Sequence, residues 1–192
     1  MPTAPAISVE NNKYEFTGDS RQCCGHTVWR IRSKKGGEYG GWIESESNLA
    51  FDGDCWVADE ACAFEDARVT ENATVKDKAK VYGRSRISGR SIVQYQSRVK
   101  GESSVSENAL ISGQALVKDS VKVRGFTWIR GWAEVSDSAT LSGGIIEHRC
   151  RVMGSAAVYG GKITGFATVK GDARITKKAR ISGDITIDCG EH

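Results

Sequence analysis

Three histidines, His26, His148 and His192, are the side chains of this 192-residue sequence best suited to moving a proton near neutral pH. His26 lies near the start and His192 is the last residue, which leaves His148, in Ile146-Glu147-His148-Arg149, as the candidate base. A histidine so placed would take the proton of an acceptor hydroxyl or amine during acyl transfer. Six cysteines, at 23, 24, 55, 62, 150 and 189, are candidate nucleophiles or ligands. They include no Cys-x-x-Cys pair and have no histidine at zinc-finger spacing, so the spacing supports neither a metal nor a redox motif. Cys23 and Cys24 are adjacent and cannot readily bond to each other, so no disulfide framework is expected. The sequence predicts no metal and no cofactor, acyl-CoA entering only if His148 serves a transferase.

The elements that must carry these residues follow from a period of six. An aliphatic or small residue recurs at every sixth position from Val57 to Leu141, and two residues before nearly every one stands Ala, Ser, Thr or Cys. After one-residue contractions near Gly143-Gly144 and Gly160-Gly161, the beat continues to Ile187. Six fits neither a helix nor an alternating strand, so it belongs to a solenoid of short strands and turns. One large inward residue per strand and one small inward residue near each corner make one flat side, and three sides close a coil of about 18 residues. Cys55 and Cys150 fall on the small inward positions, where cysteine acts as a compact apolar group.

Composition agrees with one soluble rod. With 22 Gly, 2 Pro and mean hydropathy -0.39, no stretch reaches the roughly 20 apolar residues of a membrane span. Residues 1–12 lack the basic start and apolar core of a signal peptide, so a cytoplasmic location is expected. Lys13–Phe16 and Thr27–Ile31 read as strands separated by Gly18 and Gly25, with turns at Gly36-Gly37 and Gly40-Gly41. Residues 1–55 are therefore expected to form a small β cap on a β-helix of residues 56–192, since an open end would expose core and strand edge.

Lys13-Tyr-Glu-Phe-Thr-Gly18, Gly40-Gly-Trp-Ile43, Asn48-Leu49, Gly53-Asp-Cys-Trp-Val57 and Ile146-Glu-His-Arg149 resemble segments of YdcK-like hexapeptide-repeat proteins, named as acyltransferases, and of their phage and prophage relatives. The likeness covers nearly the whole chain. It implies a left-handed parallel β-helix in a bacterial or phage setting, whereas generic parallel crossovers are right-handed. Enzymes of that kind use a histidine base, an inserted loop and a cleft between subunits. Here the beat is uninterrupted from Val57 to Leu141, which leaves no inserted loop there.

Reading the coils side by side exposes two surface patterns. One residue before the anchors of the first side, Trp56, Thr74, Ile92, Leu110, Trp128 and Ile145 make an apolar column, expected to join copies of the chain into a dimer or trimer. The second side carries Lys80, Arg98, Lys100 and Lys118 with Phe64 and Tyr82 interleaved, and the third adds Arg68, Arg86, Lys122 and Arg124. Residues 76–130 hold 12 Lys and Arg against 4 Asp and Glu, a surplus of 8, while the whole chain is only +3. Such a face suits a polyanionic or acidic partner. The expected function is non-catalytic binding of a host macromolecule by a phage-type protein, for instance to inhibit a host defence system. The alternatives are an acyltransferase using His148 and a structural spacer.

Overall fold

Inward Val and Ile residues alternating with outward polar ones give two-residue strands such as Arg98–Val99, too short to stand except in a stack. Each pairs in parallel with the strands one coil before and after it, as Arg98 does with Lys80 and Leu116. The computed structural model describes residues 3–191. Stacked strands form three sides around a core in which the anchors, from Val57 through Ile175, are shielded from solvent. This is the all-β, left-handed parallel β-helix expected from the sequence, with about 18 residues per coil and about eight coils.

Corners explain the rest of the hexad. Where the small inward residue is serine, its hydroxyl donates to the carbonyl three residues earlier, Ser91 Oγ to Ser88 O (2.7 Å) and Ser103 Oγ to Lys100 O (2.8 Å), so a buried hydroxyl is satisfied locally. Two residues after many anchors the backbone turns with positive φ, adopted by Gly or by Asp and Glu. The acids there accept the next coil's unpaired amide: Glu65 Oε2 from Gly83 N (2.7 Å), Glu71 Oε2 from Gly89 N (2.8 Å), Asp137 Oδ2 from Gly154 N (2.7 Å). These carboxylates are structural caps. Gly101, at φ +74°, also answers to close approach, because a Cβ there would lie 2.7 Å from Asp119 O.

Both contractions have a structural consequence. Thr140–Ile146 and Ala157–Ile163 run as continuous strands through the corner between the third and first sides, which merges those sides into one 13-stranded sheet. A full corner needs the missing residue. The register slips around Gly143, and Gly144 turns at φ +95° with no room for a Cβ.

At the N-terminus, β1 (Tyr14–Cys23), β2 (His26–Ser33) and β3 (Tyr39–Ile43) form an antiparallel meander, longer than the strands expected from sequence. β3 then pairs in parallel with Cys62–Ala63 and so enters the second side. Ile43 and Leu49 are fully buried in the main core, one coil ahead of Ala63 and Val69. The meander also packs over the outer face of the second side, where Cys23, Val28, Trp42, Cys62 and Phe64 make a second, smaller core. Arg21 pins it by pairing with Glu60 and stacking 4.3 Å over Trp42. Among the described residues no helix is long and apolar enough to cross a membrane.

Candidate functional site

The apolar column is one physical ladder, since Trp56, Thr74, Ile92, Leu110, Trp128 and Ile145 occupy successive registered positions. It ends in charge, with Lys162 and Arg180 next in register. Its two ends differ. Trp56 is half-buried with Tyr14 of β1 edge-on at 6.4 Å, so the chain's own N-terminal region shields it. Thr74, Ile92, Leu110 and Ile145 are half-buried, and Trp128 is exposed.

Several exposed aromatic residues lie near Trp128 in the chain. On the rung Thr127–Ile129 only Trp128 points outward; Phe126 (74% exposed) stands in the bend before it and Trp132 (57%) in the turn after it, beyond Gly131. At the adjoining corner the Arg149 guanidinium sits 5.5 Å from the Trp132 ring and 5.9 Å from Phe166, itself 59% exposed. Sequence reasoning found Trp128 but missed Phe126, Trp132, Arg149 and Phe166. For the corner cluster the signal was available as a spacing of 17 residues, from 132 to 149 to 166, across the contracted coils.

Electrostatics fix the middle of this face. Glu147 is nearly buried and bridges two rungs, accepting from Arg130 Nε (2.7 Å) and pairing with Lys162 Nζ (2.7 Å). Those cations, Lys162 foremost, hold its carboxyl below the usual range. Its neighbour His148 is an exposed corner residue at φ 67°, whose Nδ1 lies 2.6 Å from Thr164 Oγ1. The ring is thus oriented by a hydroxyl, and Glu147 is committed to its two cations. His192 lies outside the described residues.

The basic residues fall on two sides. Lys80 and Arg98 stack in register on the second, where with Lys78 and Gln96 they border an open cavity of about 420 Å³. Lys100 follows on that side, and Lys118 is engaged by Glu134 at 2.8 Å. Arg86, Lys122 and Arg124 are exposed on the third, the last two edging a shallow recess of about 370 Å³ with Ser104, Ser106 and Thr140. Phe64, read from sequence as an outward aromatic of the basic face, is fully buried beneath the meander and stacks on Tyr82 at 4.9 Å. Among the described residues no three His, Cys, Asp or Glu side chains are grouped to hold a metal ion.

His26 has a structural post instead of a catalytic one. Its Nδ1 lies 3.1 Å from Glu44 Oε1 and its Nε2 3.2 Å from Glu65 Oε1, and the ring leans on Phe64. The hydrogen bond to Glu44 chiefly raises its pKa above the ordinary 6.5. A raised folded pKa means the contribution is complete below the unfolded pKa and lost as pH climbs through the folded one. Amide exchange in β1 and β2 is therefore expected to quicken as pH rises above the ordinary histidine range, after correction for intrinsic exchange, and His26→Gln should flatten that dependence. An unchanged profile in the variant would remove His26 as its source.

No protein-family model matches this chain, and no curated protein matches it either.

Proposed function

We propose that this chain is a non-catalytic binding rod that self-associates through its first side and leaves its basic second and third sides to a polyanionic or acidic partner. The observation that carries this reading is the exposed Trp128 on the first side, flanked by exposed Phe126 in the bend before it and by the corner cluster of Trp132, Arg149 and Phe166 after it. Monomeric surfaces rarely leave several large aromatic side chains open on one coil, and Trp and Arg are the residues that dominate interface energetics. A parallel β-helix presents them on a rigid wall, so little conformational entropy is lost on docking. The resemblance of the opening motifs to phage and prophage proteins supports a setting in which the partner belongs to a bacterial host.

The test is the oligomeric state. Light scattering should show the wild-type chain as a dimer or trimer, and Leu110→Glu with Trp128→Glu should weaken association by about 100-fold or more while leaving the β-helix circular dichroism intact. A wild-type chain that stays monomeric at high concentration, or an unchanged mass in the variant, would sink the self-association reading.

A further inference from the structure

The seam between the meander and the solenoid holds a thiol cluster that the spacing of the cysteines did not reveal. Cys23 ends β1 and Cys62 opens the rung Cys62–Ala63. Both are buried in the same small core, packed with Val28, Trp42 and Phe64. Arg21 Nη2 lies 3.3 Å from Cys62 Sγ, and Lys80 Nζ lies 3.4 Å from Cys24 Sγ. Arg21 is itself held, by the Glu60 carboxylate, by Glu60 O at 2.8 Å and by the Trp42 face. The Cys62 sulfur thus has a held guanidinium in contact and Lys80 next to it in register, which favours its thiolate, while burial keeps the proton on Cys23. An open cavity of about 350 Å³ is bordered by Arg21, Cys23, Cys24, Glu60 and Lys80, and Cys62 lies behind Cys23 in the same small core.

We infer that Cys23 and Cys62 are an oxidation site, converted by a peroxide into an intramolecular disulfide that fastens β1 to the solenoid. The Cys62 thiolate attacks one peroxide oxygen, so that an S–O bond forms, the O–O bond breaks and hydroxide leaves. Cys23 then attacks the Cys62 sulfur, the S–S bond forms, the S–O bond breaks, and the departing hydroxide takes the Cys23 proton as water. The first hydroxide takes up from solvent the proton that Cys62 had released, so two thiols and one hydrogen peroxide give one disulfide and two waters. Both thiols are oxidised and the peroxide is reduced.

The experiment treats the full native chain with hydrogen peroxide and maps its peptides. A 23–62 link is expected, with a loss of about two mass units that a dithiol reductant reverses. It should form roughly tenfold or more faster in the folded chain than in urea, and Arg21→Gln, checked for an unchanged fold by circular dichroism, should slow it by a similar factor. Cys23→Ser and Cys62→Ser should each abolish it. A 23–24 link, oxidation confined to Cys24 or Cys189, or equal rates in the folded, Arg21→Gln and denatured chains would overturn the assignment.

Discussion

Asn48→Asp is expected to cost about 4 kcal/mol of stability, lowering the melting temperature by on the order of 10 °C. Asn48 is completely buried at the end of the short 3-10 turn Glu46–Asn48 that follows β3, just before the bridge of Leu49 to Val69, and its amide uses every polar atom. Its Nδ2 donates to Glu65 O (2.8 Å) and Ala67 O (2.9 Å), while Oδ1 accepts from Glu44 N (3.1 Å) and Ser45 N (2.9 Å). One side chain therefore closes the gap that the missing backbone of a preceding coil would otherwise leave. Aspartate keeps the acceptor but turns an oxygen toward two carbonyl oxygens, so the carboxyl must stay protonated or the contact must break. Burial and those carbonyls would raise its folded pKa, so the variant should lose stability as pH rises above the ordinary carboxylate range and recover part of it in acid. Urea melts at two pH values check this. A loss below about 1 kcal/mol at neutral pH would show that the four hydrogen bonds are not what holds the first coil.

The period of six was legible because each hexad answers to one local demand, an inward aliphatic or small anchor at every sixth position through Leu141 and a small residue at nearly every corner. Ile43 and Leu49 were not. They also stand six apart, but the next anchor, Val57, comes eight later, and the insertion of Phe51 to Asp54 hides the coil they begin. The cap's position was equally closed to sequence, because which side a meander packs on depends on shape matching among Trp42, Val28 and Phe64, none of which follows a spacing rule. The ladder of Leu110, Trp128 and Ile145 was readable as soon as the coil length was fixed. The corner cluster of Trp132, Arg149 and Phe166 needed the contracted spacing as well. Neither the thiol pair nor the carboxylates flanking His26 follows any sequence rule, since each joins the meander to coils far away in sequence.

Phe64→Ala should separate the meander from the solenoid without unfolding the rod. Phe64 follows the anchor Ala63 and points outward, yet it is completely buried, with Tyr82 parallel at 4.9 Å and His26 tilted at 5.2 Å. Truncating such a ring costs about 3 kcal/mol, roughly a hundredfold in a local equilibrium. In a solenoid each coil contacts chiefly its neighbours, so that loss is confined to the elements resting on the ring. Amides of β1 and β2 are expected to exchange on the order of 100-fold faster, while the rungs from Val117 onward keep their protection. The released meander would uncover the head of the basic second side, where Tyr82 and Lys80 stand beside Phe64. It would also carry Cys23 away from Cys62, so the variant should lose the peroxide-driven 23–62 link although both thiols remain. Uniform loss of protection along the whole rod would show instead that the solenoid depends on its cap for every coil, and the nearest-neighbour account of this chain would fail.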